Sequence, residues 1–135
     1  MLKVIIGVKG TGKTKALIAL VNEAVEKSHG DVVCIEKGVK LRYDVKYRAR
    51  LIDTNEYFVD DAQSLYGFVA GILASNHDVT DLFIDSSLKI CNDNYDEYDK
   101  FLDEVAAISD KIGINIVTTA SMPADKASDT VKKYL

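Results

Sequence analysis

Eight consecutive residues, Gly7-Val8-Lys9-Gly10-Thr11-Gly12-Lys13-Thr14, carry the clearest chemistry in this sequence. Two glycines five apart followed by Lys-Thr is the spacing of a phosphate cradle. The glycines let the backbone curl until its N–H groups face phosphate oxygens. A helix beginning at the lysine would aim its positive end at the same anion. Lys13 would then reach the β and γ phosphates, and the Thr14 hydroxyl would ligate Mg²⁺. The expected ligand is ATP, or another nucleoside triphosphate, with Mg²⁺.

Such a site needs a carboxylate at the end of another buried strand. The run Leu82-Phe83-Ile84-Asp85 supplies one, so Asp85 is the expected metal partner of Thr14 and, with Lys13, the expected catalytic pair. Glu56, Asp60 and Asp61 are further acids that could reach in from the segment before the second helix.

These residues need a frame that alternates strands and helices. Apolar runs at 2–6, 31–36, 81–85 and 114–119 read as buried strands, and periodic runs at 13–27, 61–75 and 95–112 as amphipathic helices. Gly30 is the expected left-handed cap of the first helix and Gly113 ends the third, which Asn94 or Asp93 caps at its start. Gly67 and Gly71 suggest close packing of the second helix on the sheet, and a short helix is expected after Pro123. This alternation predicts one α/β domain over 1–135, three layers deep, with a mainly parallel sheet. The expected strand order puts the first strand centrally, beside 114–119, then 81–85, then 32–36.

One segment breaks the pattern. From Val39 to Leu51 the odd positions are apolar or aromatic, and the even ones are Lys40, Arg42, Asp44, Lys46, Arg48 and Arg50. Strict period two predicts β structure with one basic face. A single strand would run about 43 Å at ~3.3 Å per residue, so a hairpin over 37–52, turning near Tyr43–Val45, is expected.

With 135 residues and 47% apolar composition, the chain can fill one core. A net charge of −4 argues against nucleic acid as a general partner. No apolar run approaches the length of a membrane span. Cys34 and Cys91 lack metal-ligand spacing, which with the missing signal peptide predicts reduced thiols and a cytoplasmic setting. All three arginines, 42, 48 and 50, lie on the basic face. That face, from Lys37 to Arg50, is an expected docking site for a second copy or a protein partner. An arginine offered there to a neighbouring subunit's nucleotide would make turnover wait for assembly.

The phosphate loop, the LFID strand and the 114–119 strand together resemble the P-loop NTPases, closest to the additional-strand class that includes the RecA-like ATPases. The segments IIGVKGTGKTKALI, CIEKG and RLIDTNEY also resemble a family of short bacterial proteins of unknown function, sometimes labelled twitching-motility ATPases. The resemblance implies that Asp85 closes a Walker B strand and holds the metal. It implies a γ-phosphate sensor among Thr118, Thr119 and Ser121, with Thr119 preferred. Many hydrolysing members carry a glutamate after that aspartate, but Ser86 and Ser87 stand here. The expected activity is a slow or partner-activated Mg²⁺-dependent ATPase. The alternatives are a non-hydrolysing nucleotide switch or a small phosphotransferase resembling nucleoside kinases.

Overall fold

Val32 and Cys34 point to one side of their strand, and Val33 and Ile35 to the other; all four are buried. A strand covered on both faces belongs inside a parallel sheet. The computed structural model, which describes residues 1–135, places it there. The elements in chain order are β1 (Leu2–Gly7), α1 (Lys13–Lys27), β2 (Asp31–Glu36), β3 (Arg50–Asp53), α2 (Ala62–Ser75), β4 (Val79–Ile84), α3 (Ser87–Ile90), α4 (Tyr95–Ile112), β5 (Asn115–Ser121) and α5 (Asp129–Lys132). Single 3₁₀ turns cover Thr54–Tyr57 and Ala124–Lys126.

All five strands are parallel, in the order β1-β5-β4-β2-β3. The expected sequence of neighbours outward from β1 is found, but β1 is an edge strand and not a central one. No further strand is present to pair with its free side, where the Val4 N–H donates to Tyr134 O at 2.7 Å. Helices α2 and α4 pack together over one face, around Leu65, Val69, Phe101, Leu102 and Val105. On the other face Leu17, Val21 and Val25 of α1 meet Val32, Cys34 and Phe83. Each such fully buried side chain contributes roughly 1.5–3 kcal/mol. No helix is long and apolar enough to cross a membrane.

The expected hairpin over 37–52 does not form. Residues 50–53 pair with β2 in parallel, and parallel neighbours need a crossover of a dozen or so residues. Residues 37–49 are that crossover, built as successive turns. Leu41, Val45 and Ala49, four apart, bury themselves against α1. The intervening odd positions point out: Tyr43 is 90% exposed and Tyr47 95%.

Two glycine expectations also change. Gly30 has no positive φ; instead a Cβ there would sit 2.1 Å from Asp78 O, so the residue is needed for a close backbone approach. Gly67 and Gly71 lie on the exposed side of α2 with nothing within 4 Å of an added Cβ, and pack against nothing. Gly113 (φ 82°) and the Asn94 cap stand as expected.

Candidate functional site

β1 ends at Gly7, and the chain turns through Gly10 (φ 87°) and Gly12 (φ 86°) into α1. Both φ values lie in the region that glycine enters without strain. Helices α2, α4 and α5 each receive a side-chain cap, from Asp61, Asn94 and Ser128. α1 receives none, and its first turn holds no acid. Its leading N–H groups therefore stay available to an anion, which the helix dipole favours.

They border a cleft of about 500 Å³ lined by Lys9, Gly10, Gly12, Lys13, Thr14 and Lys15 on one side. Lys40, Leu41, Asp85, Ser86, Lys89, Asp93 and Ser121 line the remainder. None of the five lysines is in an ion pair, since the four pairs in the chain involve Met1, Lys27, Lys46 and Lys133. Lys13 Nζ donates to Val8 O at 2.9 Å, and Thr11 Oγ1 to the same carbonyl at 2.8 Å. Gly7 closes this loop from behind, where a Cβ would meet Thr11 Oγ1 at 2.5 Å.

Across the cleft, Asp85 follows β4. Its N–H donates to Ile35 O at 2.8 Å, and its carboxylate accepts from Thr14 Oγ1 at 3.1 and 3.3 Å. Thr119 Oγ1 donates to Asp85 Oδ1 at 2.8 Å and accepts the Ser86 N–H at 2.7 Å. Ser86 adopts φ 55°, which turns that N–H back toward β5. Below it the hydroxyls of Thr118, Ser87 and Tyr98 form a buried chain, with separations of 2.6 and 2.7 Å. Thr118 also donates to Ile84 O at 2.8 Å.

The expected residues thus converge, with a change of roles. Thr119 is 1% exposed and its hydroxyl is committed to Asp85 and Ser86, so it orients the carboxylate and does not face the cleft. Thr118 is buried too, and Ser121 alone of the three lines the cleft. Glu56, Asp60 and Asp61 do not line it; Asp61 caps α2. Of the basic residues of the 37–50 segment only Lys40 does, while Arg42, Arg48 and Arg50 stand beyond it at the β3 edge.

Sequence reasoning missed Glu36. It ends β2, one residue past the Ile35–Ile84 pair, which places it beside Asp85. It is 2% exposed, and its two oxygens accept the N–H groups of Lys40 and Leu41, each at 3.0 Å. Burial pushes its carboxyl above the usual carboxylate range; the Leu41 and Lys40 bonds oppose this, and the charges of Asp85 and Asp53 reinforce it. The available signal was a charged residue closing an otherwise apolar strand. Cys34 and Cys91 are free and buried, and burial pushes both thiols up to about 12.

A hydroxyl and a carboxylate within hydrogen-bond reach of each other, beside an open helix N-terminus, fit Mg²⁺. That ion takes one or two protein oxygens and completes its shell with phosphate and water. No cluster of three or more His, Cys, Asp or Glu exists to hold a metal by protein groups alone.

No protein-family model matches the chain, and no curated protein matches it. Among solved structures it is similar to a KaiC-like protein of the hyperthermophilic archaeon Pyrococcus horikoshii, with a TM-score of 0.70 at 16% identity. The match covers 98% of this chain and 66% of that one, so the chain spans just under two thirds of that structure's length. At this identity the likeness concerns the fold, and it supports a P-loop NTPase-like α/β architecture. It does not bear on the twitching-motility label.

Proposed function

We propose that this chain binds ATP with Mg²⁺ on residues 7–14 and hydrolyses it slowly, at a rate that a partner raises. The observation that carries this reading is the uncapped, acid-free start of α1 facing Asp85 across a lysine-lined cleft. Lys13 would neutralise the terminal phosphates, and Thr14 with Asp85 would hold the metal. Bound there, Mg²⁺ would supply positive charge to the β and γ oxygens. Thr119 fixes the Asp85 rotamer. Glu36, which does not line the cleft, would hold a proton from the attacking water only once the Lys40 and Leu41 N–H groups release its oxygens, taking the place of the glutamate absent at Ser86. A switch that binds without turnover is the second reading. It is favoured by the two backbone N–H bonds that already occupy the Glu36 oxygens.

Titration calorimetry with ATP tests the binding. Lys13→Ala removes a charged donor and is expected to cost about 10- to 150-fold in affinity, the size of one charge-assisted bond. Asp85→Asn should weaken binding in Mg²⁺ and change little in excess chelator. Equal affinity of wild type and Lys13→Ala would remove the phosphate reading. Phosphate release under saturating ATP then separates slow hydrolysis from a pure switch.

A further inference from the structure

The chain's three arginines form one surface. Arg42 and Arg50 line a hollow of about 290 Å³ that runs toward Tyr57, and also an adjoining one of about 360 Å³ around Tyr47. Arg48 and Arg50 line the second hollow and a third, of about 400 Å³, that reaches Asn76. The three hollows follow the free side of edge strand β3. None of the three guanidiniums is in an ion pair. Among the lining residues the acids are Asp53 and Glu56 in the first hollow and Asp31 in the third; beside the second, Glu26 is paired with Lys46 and lies within reach of the Arg48 charge. Asp53 is occupied by the N–H groups of Gly38 and Asn55.

Aromatic rings stand among these cations. Tyr43 and Tyr47 are 90% and 95% exposed, and Tyr57 is half exposed. Arg42 lies over the Tyr43 ring at 5.9 Å. Packing does not account for the two tyrosines, because the crossover is anchored by Leu41, Val45 and Ala49 instead. Flat guanidinium forks match phosphate oxygens, and exposed rings match the faces of unstacked bases. We infer that the β3 edge, through Arg42, Arg48, Arg50, Tyr43 and Tyr47, binds single-stranded nucleic acid without sequence preference. This site is separate from the nucleotide cleft and does not rest on the activity proposed there. The net charge of −4 does not oppose it, because that sum is dominated by acids elsewhere, ten of them within residues 77–110. The turn-built crossover offers no helix or ribbon to enter a duplex groove, which favours the single strand.

Fluorescence anisotropy with a labelled oligothymidylate of about 16 nucleotides, over a range of KCl, tests this. The dissociation constant should lie near 10⁻⁴–10⁻⁶ M at physiological salt, as for other non-specific binding. Three phosphate contacts should give a log–log salt slope of about −2, at ~0.7 per contact for single strands. Arg42→Ala, Arg48→Ala and Arg50→Ala should each shallow the slope by about 0.7. Tyr43→Ala and Tyr47→Ala should weaken binding at least about fivefold with the slope unchanged, as for a lost stacking contact. All five variants should keep the wild-type circular dichroism spectrum and a single cooperative melting transition, which shows that they are folded. Undetectable binding, or binding that these changes do not alter, would overturn the inference. So would tighter binding to a duplex of the same sequence. Equal binding to polyglutamate with no effect of the tyrosines would make the surface a dock for acidic protein. Self-association in sedimentation that the arginine variants abolish, with no oligonucleotide binding, would assign it to a second copy.

Discussion

Glu36 and Asp85 end neighbouring parallel strands, and their carboxylates meet different surroundings. Asp85 takes two hydroxyl donors and borders the cleft, whereas Glu36 is buried under the first turn of the crossover. A general base must be free of its proton, and burial makes Glu36 hold that proton to higher pH than an ordinary glutamate. Any ATP turnover is therefore expected to rise along a limb displaced above the usual carboxylate range. Glu36→Gln should lower turnover by about 10²–10⁴-fold, the usual worth of general-base catalysis, while ATP affinity changes little. A variant with wild-type turnover would leave Glu36 as an anchor of the crossover alone. The same shift bears on stability. Because the folded carboxyl holds its proton more tightly, Glu36 favours the fold at low pH. That contribution is lost as pH rises from the ordinary glutamate value through the folded one.

The crossover of residues 37–49 joins the cleft to the β3 edge. Glu36 anchors its start, and Asn22 of α1 anchors its middle, donating to Asp44 O and accepting the Lys46 N–H, both at 2.9 Å. Asn22→Ala is expected to cost about 1 kcal/mol for those partly exposed bonds, and to speed amide exchange at Val45 and Lys46 before the rest of the sheet. Unchanged exchange would show that the buried Leu41, Val45 and Ala49 hold the segment unaided. The misreading of this segment has a physical origin. Charges that alternate along exposed turns look like a strand face, and the deciding signal was the four-residue spacing of its buried members. The phosphate loop was legible because all its chemistry lies in eight contiguous residues. Asp85 was legible as the end of an apolar strand, and Thr119 only as a polar residue nearby. Glu36 was not: the expected strand order already set 32–36 beside 81–85, but the register that brings both strand ends level, with Glu36 one residue past the Ile35–Ile84 pair, is encoded by no local pattern.

The phosphate loop sits where the two halves of the molecule meet. It leaves β1, whose Leu2 and Val4 belong to the large core under α2 and α4, and enters α1, which organises the smaller core on the opposite face. Thr14 then ties α1 to the end of β4 through Asp85. A ligand that grips the loop and Asp85 together would bind only the folded arrangement, since the unfolded chain offers neither the aligned N–H groups nor the carboxylate. Ligand at 100 times its dissociation constant stabilises such a fold by about 2.7 kcal/mol. For a chain of this length each kcal/mol raises the melting temperature by roughly 3–5 °C. Saturating MgATP is therefore expected to raise the midpoint by about 8–13 °C in one cooperative transition, followed by circular dichroism. Because the shift reports binding and not turnover, it should survive in Glu36→Gln and fall to about half or less in Lys13→Ala at the same ATP concentration. Excess chelator should reduce it in the wild type but much less in Asp85→Asn, whose metal-dependent part is already lost. Two separate transitions, with only one moved by MgATP, would show that the cores melt independently. In that case the loop would stabilise the α1 side alone.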